Sequence, residues 1–419
     1  MTKRRIVVIG GGPAGLMAAG QVAEAGADVL LLEKRSRPGR KLCITGKGRC
    51  NITNIAELSD FIGHFGTTGR FLRQAFTAFF APDLTDFLEK LGLELVTERG
   101  GRIFPASGKA PDVLRVLLKW VTRCGVEIER SSAVDKLSIN DGAITGVVSN
   151  GRKITCDAVI LATGGASYPD TGSTGDGYRL AASVGHAIVP IRPALVPLEI
   201  GGDVTGEMAG LTLRNVKVRL FINGKRRREA FGEVGFTELG VNGAVINTLS
   251  GEVVDALSEG AKVTLSIDLK PALDEQKLDA RLLRDFASRS RERIDSLLRG
   301  LLPREMVPLS LKVTGIPPDR MASAITAGER RRLKSWFKEF RLEVTGHRPI
   351  AEAIITAGGI DTREVNPRSM ESRLVKGLYF AGEVLDVNAD TGGYNLQAAF
   401  STGWLAGRSA ASIPSKYRG

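Results

Sequence analysis

Every position of the first apolar run, Ile6-Val-Val-Ile9, is hydrophobic and β-branched. No polar residue alternates within it, so it reads as a strand covered on both faces. A glycine-rich turn, Gly10 to Gly15, leads into a helical stretch over Leu16–Ala25 that closes at Gly26. Ala27-Asp-Val-Leu-Leu-Leu-Glu33 is a second buried strand and completes a β-turn-α-β unit. Helical spacing recurs from Phe61 to Leu91 and over Ala110–Arg123. Strands are expected over Val126–Arg130, Ala133–Ile139, Ile144–Ser149 and Lys153–Thr155. Asp157–Ala162 is another buried strand, ending on Thr163-Gly164-Gly165. Arg40–Asn54 has little periodicity and is rich in Gly, Lys and Arg, the marks of a functional loop.

From Pro193 the texture changes. Val196–Ile200, Leu213–Ile222 and Lys262–Leu269 alternate apolar and polar residues, which predicts an antiparallel sheet or small barrel. Pro271–Lys338 is helical, polar and basic, and Phe340–Thr345 reads as a returning strand. Gly377–Glu383 is a further buried strand and Gln397–Ala411 a last helix. The expected plan is α/β: a Rossmann-like, two-dinucleotide-binding-type domain made from residues 1–192 and 347–419. It is interrupted by a β-rich, barrel-like domain at 193–270 and 338–346, which carries a basic helical insert at 271–337.

Composition narrows the function classes. With 419 residues, 43% hydrophobic and 25% charged, the chain is globular and not disordered. No run approaches the roughly 18 apolar residues of a membrane-spanning helix. Met1–Arg5 and the apolar stretch after it imitate a secretory signal, but Gly10-Gly-Gly-Pro13 interrupts the pattern. Four cysteines and three dispersed histidines make neither a disulfide framework nor a metal cluster. A reducing, cytoplasmic protein without metal or membrane is expected. The formal charge of +12 points to a polyanionic partner.

The chemistry begins at Gly10-x-Gly12-x-x-Gly15. Gly10 permits the turn, Gly12 admits a pyrophosphate, and Gly15 lets helix and strand pack closely. The helix end at Pro13 and Ala14 presents N–H groups to phosphate. Glu33 closes the second strand, where a carboxylate accepts from ribose hydroxyls. Only one such fingerprint is present. Ala162-Thr163-Gly164 and Gly382-Glu383 resemble the second and third contact segments of two-dinucleotide-fold flavoproteins. In those proteins a helix N-terminus follows and faces the flavin pyrimidine carbonyls; here Thr391-Gly392-Gly393-Tyr394-Asn395-Leu396 occupies that place. FAD is the expected cofactor, with Val134 among its contacts and NADH or NADPH a transient electron donor.

Three segments together resemble the BaiN/RdsA family of FAD-dependent oxidoreductases. They are Gly10-Gly-Gly-Pro-Ala-Gly-Leu-Met-Ala-Ala19, Gly39-Arg-Lys-Leu-Cys-Ile-Thr-Gly-Lys-Gly-Arg-Cys-Asn-Ile-Thr-Asn54 and the stretch from Gly377 to Ala399. The resemblance implies an FAD domain interrupted by a barrel-like domain with a helical insert. Members include ribosomal RNA dihydrouridine synthases, bile-acid dehydroxylation reductases and an aminoacetone-type oxidase, so the substrate is left open. In the central motif, Arg40 and Lys41 are placed to neutralise the pyrophosphate. Gly48, Arg49 and Asn51 are placed near the isoalloxazine ring. Cys50, beside Arg49, is either a proton donor or a small residue packed behind the flavin, with packing favoured. Cys43, Cys124 and Cys156 are expected in the core. His64, His186 and His347 are expected at the surface or in the core.

Positive charge falls in three blocks. Lys34, Arg35, Arg37, Arg40, Lys41, Lys47 and Arg49 form a stretch without an acid. Arg226, Arg227 and Arg228 tip a predicted hairpin, and the helical insert carries Arg330, Arg331, Arg332 and Lys334. These blocks are candidates for tracking RNA phosphates, against the plainer reading of solvated faces. The preferred expectation is NAD(P)H-driven reduction of a uridine in large-subunit ribosomal RNA to dihydrouridine, acting on a base drawn out of its stack. One alternative is a small-molecule flavin oxidase or enoyl reductase, and another is a non-catalytic, RNA-binding flavoprotein.

Overall fold

The computed structural model describes residues 3–202 and 204–412, which divide into two compact units. Residues up to Ala194 and from Ile350 onward form one, and Leu195–Pro349 the other.

The first unit is built on a five-stranded parallel sheet. Its strands are β1 (Arg5–Ile9), β2 (Asp28–Glu33), β3 (Glu127–Arg130), β4 (Ala158–Leu161) and β5 (Leu378–Phe380). They lie in the order β5-β4-β1-β2-β3. In β1 and β4 the apolar run is buried on both faces, as expected of strands covered on both sides. Helix α1 (Pro13–Glu24) follows β1, and α2 (Tyr394–Ala411) follows β5. Small residues let these two helices meet backbone to backbone. A Cβ on Gly403 would stand 2.3 Å from the Ala14 carbonyl oxygen, and one on Gly407 would stand 2.5 Å from that of Ala18. The antiparallel meander Val134–Asn140, Ala143–Ser149 and Arg152–Thr155 leads into β4.

The second unit contains a closed six-stranded barrel. Its strand order is Leu198–Ile200, Gly240–Asn242, Lys225–Phe236, Thr212–Ile222, Val263–Asp268 and Phe340–His347. Alternate residues such as Val216, Val218 and Leu220 point into its core. The helix Ala244–Ser258, which the sequence pattern did not disclose, packs Val245, Ile246, Leu249 and Val253 into the same core. Between the last two barrel strands come the helices Glu275–Ser288, Ile294–Leu298, Met306–Thr314 and Ala327–Lys338. Thr326 and Glu329 cap the last of these reciprocally.

Two helix starts differ from expectation in a way that matters. α1 begins at Pro13 and not at Leu16, and α2 begins at Tyr394 and not at Gln397. In α1, proline at the first helical position has its φ already set for the helix. Both helices therefore start at a glycine of a recognised motif, so the motif and the helix end are one feature.

Thr402 of α2 ties that helix to the end of β5. Its buried hydroxyl accepts from Gly382 N–H at 2.9 Å and donates to the Ala398 carbonyl at 2.6 Å. Thr402→Val would leave the Gly382 donor unpaired in the core. We expect a loss of about 1–3 kcal/mol, read as a lower denaturant midpoint with unchanged slope.

Candidate flavin site

The loop between β1 and α1 makes a cradle whose three motif glycines have different surroundings. Gly10 has φ +103°, and a Cβ there would lie 2.5 Å from the Ala162 carbonyl oxygen. A Cβ on Gly15 would lie 1.8 Å from the Gly10 oxygen, so this glycine is required by packing alone. A Cβ on Gly12 meets nothing within 4 Å. Gly12 caps α1 without a side-chain hydrogen bond, and the first turn holds no acid. Open space before an uncapped helix N-terminus is what a phosphate needs. Glu33, at the end of β2, closes the side of the cradle. Gly11 N–H donates to its Oε2 at 2.8 Å and Arg35 N–H to its Oε1 at 2.8 Å. Each carboxylate oxygen keeps a second lone pair for a ribose hydroxyl.

At the end of β4, Ala162, Thr163 and Gly164 form the facing edge. Gly164 has φ +73°, and Thr163 Oγ1 is buried without a hydrogen-bond partner. Val134 is buried at the start of its strand. Glu383, just after β5, is the hub of a polar network. Lys41 Nζ donates to its Oε2 at 2.7 Å and to Ser167 Oγ at 2.8 Å, while Thr356 N–H donates to its Oε1 at 2.9 Å. Lys41, expected beside the pyrophosphate, is paired with Glu383. Arg40 is exposed at the start of the same helical turn.

The segment Arg40–Asn54 is not a simple loop. It begins as a helix capped by Gly39 and breaks at Thr45, where ψ is 150°. Gly46, Lys47 and Gly48 then adopt positive φ values of 57°, 57° and 83°. A Cβ on Gly48 would meet nothing within 4 Å, so the backbone is open on that side. Only one apolar residue of the helical turn, Leu42, is buried, too few to write a period into the sequence.

Beyond the break the segment docks on the entry to α2. Asn54 Nδ2 donates to the Gly392 carbonyl at 3.1 Å and to that of Gly100 at 3.0 Å. With its amide oriented to satisfy both groups, Asn51 accepts from Gly393 N–H at 3.0 Å and donates to the Thr53 carbonyl at 3.2 Å. Gly393 has φ +100°, and a Cβ there would lie 2.4 Å from the Thr53 oxygen. Asn395 turns back to bind the Ala389 N–H at 2.9 Å and the Ala389 carbonyl at 3.0 Å. Leu396 is half-buried in the first turn. The uncapped N-terminus of α2 is thereby fixed beside the central motif, with its positive dipole end half-exposed.

Two neighbouring residues of the motif have quite different surroundings, and those of Cys50 match the favoured packing role rather than the proton-donor one. Cys50 is wholly buried with φ +60°, and burial pushes its thiol up to about 12. A thiol in that setting keeps its proton and has no route to a substrate, so Cys50 is a packing residue. Arg49 does not sit beside it as an activating charge. Its guanidinium pairs with Glu98 and lies 4.4 Å from the centre of the Phe104 ring. Of the other cysteines, Cys156 is buried, but Cys43 and Cys124 are only half-buried.

One pairing escaped the sequence. His64 stacks on Tyr394, with ring centres 3.8 Å apart, and its Nδ1 lies 3.3 Å from Asp390 Oδ2. His64 lies 326 positions from Asp390, so no local pattern carries the pairing. The three residues adjoin the Gly392-Gly393 turn and put a half-exposed imidazole at it.

In the second unit, the basic residues selected as RNA contacts are largely engaged. Arg330 Nε donates to Asp279 at 3.1 Å, and Lys334 lies 3.9 Å from Asp279 and from Glu275. Arg332 Nε donates to the Thr314 carbonyl at 2.7 Å, and Arg226 pairs with Glu229. Arg228 lies on the same strand as Arg226, with Arg227 exposed between them, and Arg331 is exposed. Acids thus hold Arg226, Arg330 and Lys334, and a backbone carbonyl holds Arg332, so the free cations among these residues do not form one continuous row.

Residues 4–409 match the HI0933-like protein Rossmann domain. The chain belongs to the HI0933-like family. Over 98% of its length it is 33% identical to the whole of a 3-dehydro-bile acid delta(4,6)-reductase of Clostridium scindens. It is also 28% identical, over 95% of its length, to 96% of a ribosomal RNA dihydrouridine synthase of Escherichia coli. In fold it is similar to a flavocytochrome c3 fumarate reductase, with TM-score 0.52 and 18% identity over 98% of this chain and 78% of that one. It is likewise similar to the 3-ketosteroid delta1-dehydrogenase of Sterolibacterium denitrificans, with TM-score 0.54 and 14% identity over 97% and 99% of the two chains. This HI0933-like protein is thus an FAD-dependent oxidoreductase with a Rossmann-type FAD-binding domain and a closed barrel. The cradle fits the cofactor, since the space in front of Gly12 is empty and the helix donors behind it are uncapped. Among the described residues no group of His, Cys, Asp and Glu could hold a metal, and no helix is long and apolar enough to cross a membrane.

Gly12→Val places its side chain in the open space and touches no protein atom near Cβ. The variant should fold with an unchanged circular dichroism spectrum yet purify without the yellow flavin absorption. Full FAD occupancy in it would put the pyrophosphate elsewhere.

Cys50→Ala should keep FAD and lose no more than about twofold in rate, far less than the 10²–10⁴ of a general acid. The folded state holds the Cys50 proton through a range in which an unfolded thiol, near 9.0, loses it. Wild-type stability therefore falls as pH rises from about 9 towards 12. In Cys50→Ala the fall between neutral and alkaline melting temperatures should be smaller.

Proposed function

We propose that this protein reduces a carbon–carbon double bond conjugated to a carbonyl, and that its substrate is a uridine of large-subunit ribosomal RNA. The observation that carries the reaction class is the half-exposed, uncapped α2 N-terminus, held by Asn51 and Asn54 against the backbone opened at Gly48. Such a helix end favours negative charge developing at whatever ring it faces. FAD, when bound, supplies the two-electron chemistry. With a single dinucleotide fingerprint, NADH or NADPH acts as a transient donor.

Two relatives of different substrate support the bond type. A delta(4,6)-reductase of a 3-dehydro-bile acid and a dihydrouridine synthase both act, by name, on an alkene whose chemistry depends on a neighbouring carbonyl. The net charge of +12 favours the polyanion over the steroid. Since Cys50 is sealed in the core, the proton for the carbon comes from another group. We assign that role to His64, which Asp390 and Tyr394 hold at the Gly392-Gly393 turn. A second reading, a small-molecule enone reductase, is favoured by the 33% identity to the bile-acid enzyme over the full chain.

Mass spectrometry of ribosomal RNA from cells with and without the gene separates the two. Loss of one dihydrouridine in the deletion, restored by wild type and not by Gly12→Val, is the expected result. Unchanged dihydrouridine, together with turnover of a 3-oxo-Δ4 steroid by the purified protein, would establish the second reading.

A further inference from the structure

The helical insert of the second unit carries a groove of about 740 Å³ that no part of the flavin site uses. Its long wall is one face of the helix Met306–Thr314 and the residue preceding it. Arg304, Val307, Pro308, Leu311, Lys312 and Gly315 recur at spacings of three and four and so share a side. Val307, Leu311 and Ile316 are buried and make an apolar floor. Gly315 ends the helix with φ +65°, and Pro317-Pro318 then closes one end of the groove. That wall is pinned. Asp295 N–H donates to the Pro318 carbonyl at 3.3 Å, and Ile294 N–H donates to that of Arg320 at 2.8 Å.

The rim is cationic. Arg304 and Lys312 are exposed and pair with no carboxylate among the described residues. Arg299 is also exposed, and its one partner, Asp295 Oδ2, is 3.9 Å away. Inside the groove, Asp295 Oδ1 is buried with no hydrogen bond, although Arg293 Nε lies 3.3 Å from it. The site therefore offers an apolar floor and two unpaired cations, with Asp295 held by Arg293.

We infer that this groove binds one nucleotide of the single-stranded RNA substrate, an inference that rests on the RNA reading of the function. Its base lies on the apolar floor against the proline wall, and its phosphates meet Arg304 and Lys312. The exposed rim suits a polymer passing through better than a molecule enclosed on all sides, and the further exposed Arg291 and Arg293 extend the positive surface. This places substrate recognition on the Arg299–Lys312 face of the insert and not on the engaged Arg330–Lys334 helix.

The test measures binding of a short, fluorescein-labelled, uridine-rich single-stranded RNA to the full-length holoenzyme over a salt series. The variants are Arg304→Ala with Lys312→Ala, and Arg304→Lys alone. Loss of two phosphate contacts should lower the slope of log K against log salt by about 1.4, at about 0.7 per contact on single strands. The lysine variant should keep the wild-type slope, and all variants should keep the flavin spectrum. If the wild type binds RNA and the double variant matches it in affinity and slope, the groove is not the contact. Failure of the wild type itself to bind RNA would overturn the RNA reading together with this inference. If the double variant loses binding only of a steroid carboxylate, the groove takes a small acid and the inference is wrong.

Discussion

The flavin site depends on one docking contact between segments that lie more than three hundred residues apart. Asn54 reaches the Gly392 carbonyl across 338 positions, and Asn51 satisfies the N–H of Gly393. The contact is close enough that Gly393 cannot carry a side chain, since Thr53 occupies the space of its Cβ. Packing on α1 and the Thr402 bond hold the axis of α2, and this contact fixes the turn that enters it. With it, an uncapped helix end, a left-handed run of backbone at Gly46–Gly48 and the His64–Asp390 pair are held in one place. The cost of the positive φ at Lys47 and Cys50 is carried by the packing around them.

Charge within this unit is arranged by pairing before any ligand arrives. Lys41, Ser167, Thr356 and Glu383 satisfy one another, and Arg49 is held by Glu98 and the face of Phe104. The positive field left for pyrophosphate comes mainly from backbone N–H groups and helix ends, with Arg40 exposed nearby. The insert follows the same rule. Two members of its most conspicuous arginine run are tied to Asp279 and Thr314, while Arg304 and Lys312, where the sequence looks unremarkable, pair with no carboxylate among the described residues.

Much of the fold was legible residue by residue. Strands β1, β2, β4 and β5 announce themselves by apolar runs because both faces of the sheet are covered, whereas the edge strand β3 alternates with charged residues; the barrel strands announce themselves by alternation. The glycine fingerprint and Glu33 lie in one local unit of about twenty-five residues, so their spacing alone carries the chemistry. The helix Ala244–Ser258 was not legible, because it is buried in the barrel core along much of its length and lacks a clear polar face.

The sequence by itself therefore determined the fold class and the glycine turn between β1 and α1, since each of these is written in short-range spacing or in backbone demands that only glycine meets. Tertiary structure alone decided which side chains remain free to act. Cys50 and Arg49 are neighbours in the chain, yet one is sealed in the core and the other turned to Glu98. His64 gained Asp390 and Tyr394 only when the chain ends came together. Burial and ion pairing are properties of what packs against a residue from elsewhere in the chain, and no local pattern records them.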